Sequence, residues 1–77
     1  MDIEKKVKQI IMEQFEVGET EVKDDARFIE DLKADSIAIY ELIMKLEEEF
    51  DLKIPDEDMK ELTTVGKAIE YIKKKKS

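Results

Sequence analysis

Apolar side chains in this chain recur every three or four residues along separate stretches and nowhere settle into the alternation of a half-buried strand, which commits the fold to packed helices. The first stripe, Ile3, Val7, Ile10, Ile11 and Phe15, predicts a helix over 3–15, with Asp2 as its N-cap and Gly18 just past its end. A second stripe, Ile39, Ile43, Leu46 and Phe50, widened by Leu42, predicts a helix over 36–50. Pro55 followed by Asp56 opens a short helical turn near 56–61. Thr63 or Thr64 then caps a last helix that buries Val65, Ala68, Ile69 and Ile72, with Tyr71 beside them. The expected architecture is an all-α four-helix bundle, three longer helices and one short one, with a long loop between the first two. Val22, Phe28, Ile29 and Leu32 should anchor that loop across the bundle, and a connection of this length usually has a role or a short turn of its own.

With 77 residues there is room for one domain, taken as 1–77 with a frayed basic tail at 72–77. A domain of this size buries only about 60% of its unfolded surface, so any ligand pocket must borrow the core itself. The chain has no Cys and no His, which removes disulfides and leaves the common zinc and haem arrangements without ligands. No metal site is expected: the carboxylates of 47–49, 51 and 56–58 lack the alternating ligands and the glycine of an EF-hand loop. No apolar run approaches the roughly 20 residues of a membrane span, and charges interrupt the N-terminal segment from Asp2 onward, so a cytoplasmic location is expected. Four lysines in a row at 73–76 on an acidic chain give little affinity for lipid, and stable membrane binding is not expected.

The net charge of −7 is concentrated. Residues 30–61 hold 12 acidic and 4 basic side chains, while the rest of the chain is close to balanced. Nucleic acid is therefore an unsuitable partner, whereas basic protein surfaces are attracted by such a field. Inside that acidic segment lies the only internal serine, Ser36, in the run Asp35-Ser36-Ile37. Without a histidine in the chain Ser36 cannot be the nucleophile of a hydrolytic triad. For an isolated Asp-Ser pair the ordinary role is simply to cap the helix that follows.

The surroundings change that reading. Asp31-Leu32-Lys33-Ala34-Asp35-Ser36-Ile37, then Glu41-Leu42-Ile43-Met44, Leu46-Glu47-Glu48-Glu49-Phe50, Ile54-Pro55-Asp56-Glu57 and Thr63-Thr64-Val65-Gly66 through Ile72 stand in one collinear order. This pattern resembles the acyl carrier proteins. The resemblance implies a non-enzymatic, monomeric carrier with a 4'-phosphopantetheine arm attached to Ser36 by a phosphopantetheinyl transferase. Acyl groups would be held as thioesters on the arm and delivered to fatty-acid synthesis enzymes through their basic docking surfaces. The cofactor would supply the chemistry and the protein would supply recognition and shelter. The docking surface expected here comprises Asp35, Ile37, Glu41, Met44, Glu47, Glu48 and Asp56. The residues best matched to an acyl pocket are Phe28, Ile29, Ile39, Ile43, Leu46, Ile54, Met59, Leu62 and Ala68, which ordinary core packing would also explain.

Some positions depart from the family pattern. Lys33 stands where glycine is usual, Ile37 for leucine, Ala38 for a frequent aspartate, Tyr40 for a smaller aliphatic residue and Lys45 for a small neutral one. Lys33, Ala38 and Lys45 all reduce the negative charge around Ser36. A carrier specialised for a polyketide, lipid A or aminoacyl pathway is the alternative reading. An unmodified helical interaction module is the alternative outside the family.

Overall fold

Each helix begins where a carboxylate, hydroxyl or proline can start it. A computed structural model describes residues 2–76. Helix α1 spans Ile3–Phe15, and the Asp2 carboxylate accepts a hydrogen bond from the Lys5 N–H at 3.2 Å. Helix α2 spans Ser36–Phe50 with Asp35 as its cap. Helix α3 is a single turn, Asp56–Met59, entered through Pro55. Helix α4 spans Val65–Lys76, and the Thr64 hydroxyl accepts the Lys67 N–H at 3.2 Å. The structure is all-helical, as expected; among the described residues the only extended pairing is an isolated bridge between Arg27 and Thr64.

The core lies where α1 packs against both α2 and α4. Val7 and Ile11, Leu42 and Leu46, and Val65 and Ile72 are all sealed from solvent. Helix α3 buries no residue of its own and is held by its neighbours in sequence, Ile54 and Leu62, both buried. Met59 packs its side chain against the core, and the Tyr71 hydroxyl ties the turn to α4 by donating to Asp58 at 2.6 Å. Burial, and then the adjacent Asp58 carboxylate, push the Tyr71 phenol up from 10.0 to about 12. Because the folded-state value lies above the unfolded one, this stabilisation is complete below pH 10 and disappears as pH rises through about 12. Tyr71→Phe should therefore cost about 1 kcal/mol at neutral pH. The gap between parent and variant should close in urea melts repeated up that alkaline range.

The loop between α1 and α2 is stitched rather than merely anchored. A short 3₁₀ turn occupies Glu19–Glu21. Farther on, Phe28 N–H donates to the Thr63 carbonyl at 3.2 Å, Val65 N–H to Ala26 at 3.0 Å and Gly66 N–H to Asp24 at 2.7 Å. That last contact explains the glycine at 66, since a Cβ there would lie 2.8 Å from the Asp24 carbonyl oxygen. Val22, Phe28 and Leu32 are buried as expected, but Ile29 is 65% exposed and anchors nothing. Arg27 and Asp31 fold the segment between them into a tight turn, and that turn points Ile29 outward.

Gly18 lies just past the end of α1 and opens the 3₁₀ turn at φ −83°, while the left-handed residue that ends the helix is Glu16, at φ 53°. One boundary reading is corrected. The basic segment expected to fray from residue 72 is helical through Lys76. Buried Ile72 holds it to the core, Lys73 lies 3.8 Å from Glu4, and Lys75 sits over the Tyr71 ring at 5.5 Å. Ser77, part of the same expectation, lies outside the described residues.

Candidate functional site

The approach to α2 is built by a turn that closes on itself. The Asp31 carboxylate accepts the Arg27 N–H at 2.8 Å, and Arg27 reaches Glu30 at 2.7 Å and Asp31 at 3.6 Å. The backbone bond from Arg27, with its guanidinium charge adding to the effect, holds Asp31 below the ordinary carboxylate range. Ala34 N–H then donates to the Phe28 carbonyl at 2.8 Å, and the chain passes through Lys33 at φ 59° on the way to Ser36. A β-carbon in that left-handed region costs about 1–2 kcal/mol, which is the physical reason a glycine suits this position. Lys33→Gly should raise stability by about 0.5–1 kcal/mol, the remainder being lost to the greater freedom of glycine in the unfolded chain. The urea midpoint is the measurement, and a lower midpoint in the variant would show that Lys33 is not strained.

Sequence leaves open which of Asp35 and Ser36 caps α2, and the structure decides it. Asp35 is the cap, its carboxylate accepting the Ala38 N–H at 2.8 Å. Ser36 is the first residue of the helix and is exposed, and its hydroxyl makes no hydrogen bond among the described residues. The serine is thus relieved of the structural duty and left accessible.

Beside Ser36 an open groove of about 830 Å³ runs between α2, the 27–30 turn and the 59–64 segment. Phe28, Ile29, Ile39, Ile43, Met59 and Leu62 line it, six of the nine residues expected around an acyl pocket. Leu46, Ile54 and Ala68 do not line it; they sit in the sealed core, at 0%, 3% and 1% exposure. Leu46 on α2 and Ala68 on α4 belong to the one buried cluster that joins the helices, which leaves them closed off from the groove. The groove also takes in Tyr40, Thr63 and Lys67, which sequence reading did not place there. For Tyr40 the signal was its position four residues after Ser36; Thr63 arrives only through the loop-to-loop pairing with Phe28. A second groove of similar size, between α3 and α4, is rimmed by Lys60, Lys67, Glu70 and Lys75 and does not reach Ser36.

On the outer face of α2, Ile37 is 70% and Met44 49% exposed, flanked by exposed Glu41 and Glu48. The helix carboxylates are not equivalent. Glu47 is half-buried and spent within the fold, accepting the Ile54 N–H at 2.8 Å. Glu49 pairs with Lys6 at 3.3 Å and Lys45 at 3.8 Å. Glu41, Glu48 and Asp56 carry no ion pair among the described residues. Among those residues, too, no cluster of acidic side chains could hold a metal ion, and no helix is long and apolar enough to cross a membrane.

A small all-helical domain with an exposed serine opening an acidic helix beside an apolar groove has the form of a carrier rather than of a catalyst. Residues 5–72 match the family described as the phosphopantetheine attachment site. The chain also resembles the solution structure of a candidate acyl carrier protein from Anaplasma phagocytophilum, with 30% identity and a TM-score of 0.89 over 99% of this chain and 90% of that one. The chain belongs to the acyl carrier protein family. It is a non-catalytic carrier whose cofactor is phosphopantetheine and whose general counterparts are acyl groups and the enzymes that process them.

Proposed function

We propose that this chain, a single monomeric domain, receives its 4'-phosphopantetheine arm on Ser36 and carries growing fatty acyl chains between the enzymes of fatty-acid synthesis. The observation that supports the reading best is an exposed, unbonded Ser36 hydroxyl on the edge of the apolar groove that Ser36 itself helps to line. With Asp35 already capping the helix, esterification of Ser36 breaks no bond that the fold uses. The resulting phosphodiester stands at the positive end of α2. When bound, the arm supplies a terminal thiol that holds the acyl group as a thioester. The protein's own part is to present the hydroxyl, offer Phe28, Ile39, Ile43, Met59 and Leu62 as an apolar wall, and display Ile37, Glu41, Met44, Glu48 and Asp56, with Asp35 beside the serine, to basic partners. Glu47 contributes less to that surface than spacing implies, because one of its oxygens holds the 50–54 turn.

The test is intact mass after incubation with coenzyme A, magnesium and a phosphopantetheinyl transferase. The parent should gain one arm and Ser36→Ala none. Modification that persists in the alanine variant would move the site, and an unchanged parent beside a working control carrier would remove the reading. The specialised-carrier alternative is favoured by Lys33, Ala38 and Lys45, which thin the negative field near Ser36. The acyl group recovered from carrier isolated from its native cell separates the two: a plain saturated chain supports fatty-acid synthesis, and an aminoacyl or polyketide group supports the alternative.

A further inference from the structure

Tyr40 combines features that packing alone does not require. It is a large ring left 55% exposed on a small protein, it lines the groove beside Ser36, and it follows that serine by four residues on one helix. Residues at that spacing are neighbours on a helix surface, about 6 Å apart along the axis. Helical side chains also lean toward the N-terminus, so the patch covered by residue 40 lies over the turn that carries Ser36. Three residues farther on, Ile43 is 1% exposed and forms the groove's inner wall. Ser36, Tyr40 and Ile43 therefore form a row from the attachment point inward, with the ring between the serine and the deep end.

We infer that Tyr40 is a specificity-determining residue of this carrier: its ring forms the outer wall of the groove and shelters the thioester of cargo long enough to reach inside. The inference rests on attachment at Ser36 and on cargo using this groove. An arm that starts at Ser36 and folds back into the groove lays its acyl chain along a lining that includes the ring, and an apolar chain lying against the ring covers surface that is otherwise wet. With the tail of the chain against Ile39 and Ile43, the thioester stands at the mouth, where the ring restricts the approach of water and other nucleophiles. A smaller aliphatic residue at position 40 would leave that side open. Short acyl groups, which end before the inner wall, gain nothing from the ring, so Tyr40 favours longer cargo. The aromatic face is the working part, since the Tyr40 hydroxyl makes no hydrogen bond within the described residues.

The test loads the full-length holo-carrier with either an octanoyl or an acetyl group and follows cleavage of the thioester by hydroxylamine. Tyr40→Ala should speed octanoyl cleavage about five-fold and leave acetyl cleavage unchanged. Tyr40→Phe should match the parent with both cargoes. The exposure of the side chain keeps both variants foldable, and helicity by circular dichroism verifies it. Octanoyl cleavage unchanged or slowed in Tyr40→Ala overturns the inference, as does equal acceleration of both cargoes, which would mean that the ring guards the arm and not the chain. A Phe variant as fast as Ala also overturns it, transferring the role to the hydroxyl. A parent that takes up no arm at all, seen by mass before loading, sinks the Ser36 reading and this inference with it.

Discussion

Leu46→Ala is expected to cost about 2–5 kcal/mol and to leave a large share of the chain unfolded at body temperature. Leu46 has no exposed surface and stands where α2 meets the rest of the core. A domain of 77 residues has about 4–12 kcal/mol of total stability, so a single cavity of this kind consumes a large fraction of it. The same location predicts what the substitution should not do. Leu46 does not line the groove, so the folded fraction of Leu46→Ala, separated by its melting curve, should protect an octanoyl thioester as well as the parent does. Ala68→Phe should act similarly from the other side, costing about 1–3 kcal/mol by overpacking a 1%-exposed position. Ile39→Ala inverts the pattern: it is half-buried and lines the groove, so cargo protection should fall more than stability. Urea denaturation of the three variants, paired with thioester cleavage, sorts core from groove. Selective loss of protection in Leu46→Ala would mean that cargo reaches the sealed interior by opening it.

The helices were legible because their signals are local. Asp2 and Asp35 cap because a carboxylate at that position finds the N–H groups of the first turn, and the buried faces follow from a period of 3.6. Pro55 opens α3 for an equally local reason. What sequence missed depends on partners distant along the chain. Ile29 reads as an anchor until the Arg27–Asp31 turn is seen to rotate it outward. Glu16 and Lys33 take left-handed conformations that local preference assigns to glycine, because the surrounding contacts outweigh about 1–2 kcal/mol of strain at each, while Asp51 takes one that aspartate tolerates. Fraying of the lysine run fails for the same reason, since Ile72 is fixed from outside its own helix. At the site, periodicity cannot divide one apolar stripe into groove and core: Ile39 and Ile43 line the groove while Leu46, on the same helix, does not. Tyr40 had a local signal, its spacing from Ser36, but its importance depends on the opposing wall supplied by residues 59–64.

Reversing a charge on the outer face of α2 should affect encounter with partners more than folding. Glu41 and Glu48 are exposed, carry no ion pair among the described residues, and flank the apolar row of Ile37 and Met44. Neither is needed to hold the fold, and each sits in a segment where 12 acidic side chains face 4 basic ones, so a lysine there relieves repulsion. Glu41→Lys or Glu48→Lys should lower the association rate with a basic transferase by about ten-fold at low salt, with a smaller change in dissociation. Raising ionic strength should shrink the defect, because exposed charges are screened beyond a Debye length of about 8 Å at 0.15 M salt. Glu47→Lys is the informative contrast, since it removes the acceptor of the Ile54 N–H and should lower stability as well as association. Stopped-flow association at two salt concentrations, beside urea melts of the three variants, measures both quantities. A slow association in Glu41→Lys or Glu48→Lys that persists undiminished at high salt would mean that the lysine obstructs contact sterically, and the acidic face would then not be the element that guides partners to Ser36.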